Sequence, residues 1–243
     1  MKRVVKVILL VLVALIVVGG VGFGVYVSDY DKATQLAIDA LGSTESVIVE
    51  NSDDYIVYKP VGDIKCGLVF YPGGKVEPTV YSRVFSKLAE SGIQTVVLKM
   101  PFNLAMFNIN GAEKVLENYD DINLWYLGGH SLGGVFSTEY LKNNSEDFEG
   151  MMYLASYPSA DISHLDIKVI TINGTLDTVI NREGYNSAKS KMPEDAVYYD
   201  IEGGNHTQFG DYNLQKGDTD ATISAEEQQK LIVDKILEFT SVK

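Results

Sequence analysis

Of 243 residues, one is cysteine and three are histidine, and acidic side chains outnumber basic ones by 33 to 20. Each shortage excludes something. With Cys66 alone, no intrachain disulfide can form, so the fold must stand on its core. No Cys/His cluster has metal-ligand spacing, so neither a metal site nor a cofactor is expected. A formal net charge of −13 leaves no basic footprint for nucleic acid. No short repeat or low-complexity tract is visible, which excludes a solenoid. What remains has an ordinary apolar fraction of 46% and a charged fraction of 22%, the balance of a folded domain.

The uncommon feature is the start. From Val4 to Val27 the chain reads VVKVILLVLVALIVVGGVGFGVYV, interrupted by charge at Lys6 alone. A bilayer-spanning helix needs about 20 apolar residues, and this run supplies them. Lys2, Arg3 and Lys6 lie on its amino-terminal side, and Asp29 and Asp31 follow it. That asymmetry places the amino terminus in the cytoplasm and the remainder outside, as a single-pass protein of the cell membrane. A cleaved signal peptide, leaving a secreted protein, is the competing reading. Its apolar region is usually about 7–15 residues, and no A-x-A site is present, although Gly20, Gly22 and Gly24 are small enough for cleavage. The first 27 residues hold three positive and no negative charges, so the remainder stands at −16. Such a surface disfavours anionic headgroups beyond the anchor itself. An exported domain without disulfides leans towards a bacterial surface protein.

The expected domains are an anchor over 1–27, a linker or domain start over 28–44, with the linker near 28–33, and one catalytic domain over 45–243. Within the last, β-rich runs fall at 46–51, 55–60, 67–72, 93–100, 123–128, 150–156, 168–174 and 196–202. Helical spacing occurs in PTVYSRVFSKLAESG, in SLGGVFSTEYLKNN and in TISAEEQQKLIVDKILEFT, the last opened by a capping box of Ser224 and Glu227. The first two strands are joined by a short turn and read as a hairpin; from the third onward strand and helix alternate. Runs such as TVVL and VITI are apolar without alternation, as strands buried on both faces are. The expected class is α/β, with a mostly parallel eight-stranded sheet covered by helices on both faces.

Functional groups in such sheets gather beyond the carboxyl ends of the strands. There the chain carries Gly129-His130-Ser131-Leu132-Gly133, a G-x-S-x-G pattern between an apolar run and a helix. The pattern is a sharp turn that holds the serine out and needs glycine where side chains would collide. A hydroxyl needs a base, and the base an orienting acid. His130 lies inside the bend, facing away from the reaction side, and His164 sits in a surface loop. His206 follows the eighth strand and is the expected base. Asp177, one short turn past the seventh strand, is the expected acid; Asp161 and Asp166 lack that placement. Asp211 is a second candidate acid. For the oxyanion, the N–H of Leu132 and one from Gly73-Gly74 in the loop FYPGGKVEP are expected to donate.

Several stretches resemble a known family. YPGGKVEPTVY, LKMPFNLAMF, GGHSLGG, ASYPSADIS, NGTLD and IEGGNHTQFGDYNLQKGDTDATISAEEQQ are together similar to a group of bacterial α/β-hydrolases, distantly like dienelactone hydrolases. The similarity runs from about residue 45 to the end. It implies the α/β-hydrolase fold with Ser131, Asp177 and His206 at the triad positions. Dienelactone hydrolases use a cysteine nucleophile; serine stands here, so their particular activity does not carry over.

Phe102 and Met106, with Leu104 and Phe107, either wall an acyl pocket or pack on the sheet. Lys99 at the end of the fourth strand is either a solvated terminus or a partner for an acidic group. The expected function is an extracytoplasmic serine hydrolase acting on a small or lipid-like acyl substrate through an acyl-enzyme. The alternatives are an acyltransferase with the same triad and a noncatalytic binding protein on the fold, the latter disfavoured because no triad position is degraded. Mass spectrometry of the chain recovered from membranes tests the anchor: an intact amino-terminal segment is expected, and a soluble product starting beyond Gly20 would mean signal cleavage.

Overall fold

The structure is a computed structural model, and it describes residues 2–242. The chain divides into two units, Met1–Tyr30 and Asp31–Lys243. The first is a single helix, α1 (Lys2–Ser28). Its stretch Arg3–Ser28 is long and apolar enough to cross a membrane.

The second unit is built on one eight-stranded sheet. The strands are β1 (Val47–Asn51), β2 (Tyr55–Pro60), β3 (Cys66–Tyr71), β4 (Ile93–Leu98), β5 (Trp125–His130), β6 (Gly150–Leu154), β7 (Lys168–Gly174) and β8 (Val197–Ile201). Their spatial order is β1-β2-β4-β3-β5-β6-β7-β8. β1 and β2 form the expected hairpin, β2 also runs antiparallel to β4, and all later pairings are parallel. The helices are α2 (Gln35–Asp39), α3 (Ser82–Glu90), α4 (Gly111–Asn118), α5 (Leu132–Leu141), α6 (Arg182–Ala188) and α7 (Ala225–Thr240).

Every residue of β3, β4 and β5 is buried, and the pleat deals successive side chains to opposite faces. Leu68, Phe70 and Tyr126 join Val84, Phe85, Leu88, Ile232 and Ile236 of α3 and α7 in one core. Val69, Tyr71, Trp125 and Leu127 join Val115 of α4, Leu141 of α5 and Ala188 of α6 in the other. This two-sided burial is why those strands lack polar alternation.

The hydrophobic pattern places every strand boundary to within two residues; β5 is shifted by two at both ends and continues through Gly129 and His130. Parallel pairing of these residues with Tyr153 and Leu154 of β6 carries the strand up to Ser131. The Ser224 half of the expected capping box forms, with Ser224 Oγ accepting from Glu227 N–H at 3.1 Å. Helices α2, α4 and α6 carry too few apolar positions for their periodicity to stand out.

The span 28–44 already includes the start of the second unit. From Asp31 onward it is stitched to the domain: Asp31 N–H donates to Lys75 O, Glu77 N–H to Asp31 O, Thr34 N–H to Asp211 O and Ala33 N–H to Glu77 Oε2. Ala37 of α2 is fully buried. The segment is an edge of the domain rather than a free spacer.

One ion pair locks three elements. Arg83 of α3 makes a bidentate contact to Asp211, in the segment following β8, at 2.6 and 2.7 Å, and Gln229 of α7 donates to the same carboxylate at 3.1 Å. Asp211 is buried and the guanidinium only partly so. Removing the cation strands a buried carboxylate. Arg83→Met is therefore expected to destabilise the domain by about 3 kcal/mol, read as a lowered urea midpoint at unchanged m-value.

Candidate active site

Ser131 stands at the junction of β5 and α5 with φ 50° and ψ −126°, a conformation costly for a residue with a Cβ. Its surroundings hold it there. Ser131 N–H donates to Leu154 O at 3.0 Å, while Ser131 O accepts from Gly134 N–H at 3.1 Å and from Ser156 Oγ at 2.6 Å. The glycines follow from proximity. A methyl on Gly129 would overlap the Gly134 backbone; on Gly133, the carbonyl oxygens of Tyr71 and Pro72; on Gly134, Ser156 Oγ. Helix α5 therefore starts flush against β3 and β5, and the bend points its serine out of the sheet.

Asp177 and His206 sit beyond β7 and β8 and meet there. His206 Nδ1 lies 2.8 Å from Asp177 Oδ2, with both side chains shielded from solvent. The other carboxylate oxygen accepts the N–H groups of Val179 and Ile180, each at 2.9 Å. A carboxylate so held takes the Nδ1 proton of the ring as a hydrogen-bond donor, which leaves Nε2 as the basic nitrogen. Nε2 is buried and has no hydrogen-bond partner. Among the described residues no hydrogen bond joins Nε2 to the Ser131 hydroxyl. Catalytic hydrogen bonds without substrate are often long and tighten in the complex.

The loop carrying His206 is gripped by α7. Gln228, fully buried, accepts from Asn205 N–H at 3.0 Å and donates to Asn205 O at 2.8 Å.

His130 is placed differently from expectation. Its ring does not face away; it lies against the His206 ring, with centroids 4.7 Å apart, and on its other contacts meets Phe209 and Tyr81. The reason it is unsuited to be the base is chemical. Tyr81 Oη accepts Gly73 N–H at 2.9 Å, which directs its own proton to His130 Nδ1, also at 2.9 Å. Burial first, and then the neighbouring His206, push the His130 pKa well below the ordinary histidine value, so this ring stays neutral. Burial likewise keeps the Tyr81 phenol protonated. Tyr81 left no signal in the sequence beyond its place on an amphipathic segment.

The same bond bears on the oxyanion donors. Gly73 N–H is committed to Tyr81, whereas Gly74 N–H and Leu132 N–H find no acceptor among the described residues. The two loops touch, since a methyl on Gly74 would fall 2.6 Å from Leu132 Cδ1.

The remaining expected residues divide. Asp161, Asp166 and His164 are exposed, as loop positions should be. Asp211 is engaged with Arg83, which leaves Asp177 as the acid on His206. Lys99 ties the strand end to the β1–β2 turn, its ammonium on Ser52 O and its N–H on Asp54 O. Of the apolar group after β4, Leu104 is buried; Phe102, Met106 and Phe107 are about half exposed, with Phe102 and Phe107 edge to face at 5.5 Å. This turn adjoins the glycine loop through Lys75 N–H, which donates to Asn103 O at 2.7 Å. Cys66 offers no reserve nucleophile: burial pushes its thiol up to about 11.

Substitution at the bend gives a direct check. In Gly133→Ala the added methyl meets main-chain oxygens that cannot move without unzipping β3, so a loss of about 3 kcal/mol is expected in chemical unfolding.

No curated protein matches the sequence. Solved structures share the fold at low identity. Est1E from Butyrivibrio proteoclasticus superposes with a TM-score of 0.56 at 13% identity over 81% of this chain and 100% of that one. TT1662 from Thermus thermophilus gives 0.59 at 12%, over 81% and 99%. A soluble variant of monoglyceride lipase from Saccharomyces cerevisiae gives 0.58 at 12%, over 83% and 96%. The model of the alpha/beta hydrolase family matches residues 67–230, from the second residue of β3 into α7, and with the fold and the bend at Ser131 it establishes that the chain belongs to that family.

Proposed function

We propose that the protein is a membrane-anchored, extracytoplasmic serine hydrolase that cleaves an ester or related acyl bond through an acyl-enzyme. The observation that carries the reading is the buried 2.8 Å contact between Asp177 and His206, with the His206 ring packed on the residue immediately preceding a serine at φ 50°.

In this reading Ser131 Oγ attacks the acyl carbonyl and passes its proton to His206 Nε2. Asp177, through Nδ1, keeps the ring in the required tautomer and stabilises the imidazolium. Leu132 N–H and Gly74 N–H receive the developing oxyanion, assisted by the positive end of α5. His206 returns the proton to the leaving group, and water, activated by the same ring, releases the acyl group. The neutral His130 has a part here. A cation against His206 would oppose formation of the imidazolium; burial first, and then His206 itself, keep His130 uncharged, and the Tyr81 hydroxyl on Nδ1 fits that neutral ring. Phe102 and Met106, exposed beside the glycine loop, are assigned to the acyl side of the substrate. The apolar α1 holds the enzyme at the membrane.

The full-length chain in detergent should be labelled by a fluorophosphonate probe and should hydrolyse p-nitrophenyl esters. Ser131→Ala should abolish both, and Asp177→Asn should lower kcat by about 10⁴. A folded wild type that neither labels nor turns over would sink the enzyme reading and favour a binding protein.

A further inference from the structure

The polar segment after the Thr207–Phe209 turn has no part in the mechanism above, yet it reaches both halves of the His–Asp pair. A turn closed by Asp218 N–H on Gln215 O at 2.9 Å, with Gly217 at φ +95°, brings the Asp218 carboxylate back between two loops. Its Oδ2 accepts the N–H of Thr207 at 2.8 Å and the Oγ–H of the same residue at 2.7 Å. Its Oδ1 accepts the N–H of Thr178 at 3.4 Å. Thr207 follows His206 in the chain, and Thr178 follows Asp177.

Neighbouring bonds reinforce the bridge. Thr178 Oγ1 donates to Gly217 O at 2.9 Å, Asn205 Nδ2 donates to Thr219 O at 2.7 Å, and Gln215 N–H donates to Thr207 Oγ1 at 3.0 Å. On the upstream side the same two loops are joined by Leu176 N–H to Gly204 O at 2.8 Å and by Gly203 N–H to Thr175 Oγ1 at 2.9 Å. The two loops are thus tied together both before and after the residues that meet, and the downstream tie runs through a carboxylate.

We propose that Asp218 is a positioning residue: it clamps the loop of Asp177 to the loop of His206 and so sets the distance and angle of the hydrogen bond between them. The inference rests on the triad reading. Its physical content is that a general base must be held to fractions of an ångström, and that 1 Å of misplacement costs about 100-fold. The loops of β7 and β8 are separate excursions from the sheet, and the carboxylate can accept from both because its two oxygens point in different directions. Asp218 touches no reacting atom.

The test uses the full-length chain in detergent with histidine labelled by ¹⁵N. Asp218→Ala is expected to lower kcat for a p-nitrophenyl ester about 10- to 100-fold with KM little changed, and to broaden or abolish the low-field proton resonance of His206 Nδ1–H. Asp218→Asn, which keeps one oxygen for the two Thr207 donors but sets an NH2 against Thr178 N–H, should keep only part of the activity and of the resonance. Thr207→Val, which keeps the N–H but loses the hydroxyl, should fall between wild type and Asp218→Ala. These last two carry the test if Asp218→Ala fails to fold. The proposal is overturned if folded Asp218→Ala keeps wild-type kcat and an unshifted resonance, or if KM alone changes. Because the resonance reports the Asp177–His206 bond without turnover, an inactive wild type with a normal resonance that Asp218→Ala abolishes would refute the serine-hydrolase reading and leave the clamp standing.

Discussion

The structure depends on one cramped stretch of main chain. Ser131 keeps a positive φ because its N–H and carbonyl are already committed to Leu154, Gly134 and Ser156, and because helix α5 has nowhere else to begin. Gly133 is pressed onto main-chain oxygens at the end of β3, and Gly134 onto Ser156. The strain is local, while what maintains it is distributed over three neighbouring parallel strands whose core side chains are fully buried. A turn of this kind could not survive at the edge of the sheet, where fewer partners would hold it.

From that bend the remaining chemistry follows by adjacency. Residue 130 points into the protein where 131 points out, so the ring of His130 becomes the floor on which His206 rests. Burial keeps that floor uncharged, and the Tyr81 hydroxyl meets its Nδ1. Tyr81 is also bound by Gly73 N–H, so the loop that supplies Gly74 and the ring that supports His206 share one phenol. Burial of all three groups makes each hydrogen bond costly to lose, which is how a site built from separate loops keeps a single arrangement.

The segment 31–44 and the segment 211–220 illustrate what a linear reading misses. Both are short of apolar periodicity, and composition alone marks the first as linker or domain start and the second as a long polar loop, without saying what either touches. In the folded chain the first is bonded to the loops at Lys75 and Asp211, and the second to residues beside Asp177 and His206. Their value lies in main-chain and carboxylate hydrogen bonds to partners up to 180 residues away, for which sequence spacing carries no signature. His130 is the same lesson in one side chain: its neighbours in the chain identify the bend, but which way its ring packs is set by Tyr81, His206 and Phe209 arriving from elsewhere.

Apolar runs without alternation, glycines around a lone serine, and a histidine and an aspartate each at a strand end were enough to define an α/β sheet and to name Ser131, Asp177 and His206 as a set. These are local properties, because burial on two faces and a tight bend each constrain the residues that make them. That Asp177 meets His206, that Gly73 is spent on Tyr81 while Gly74 is not, and that Asp218 joins the two loops were decided by tertiary structure alone. Each depends on where separate strand ends converge, and convergence is a property of the whole sheet rather than of any segment within it.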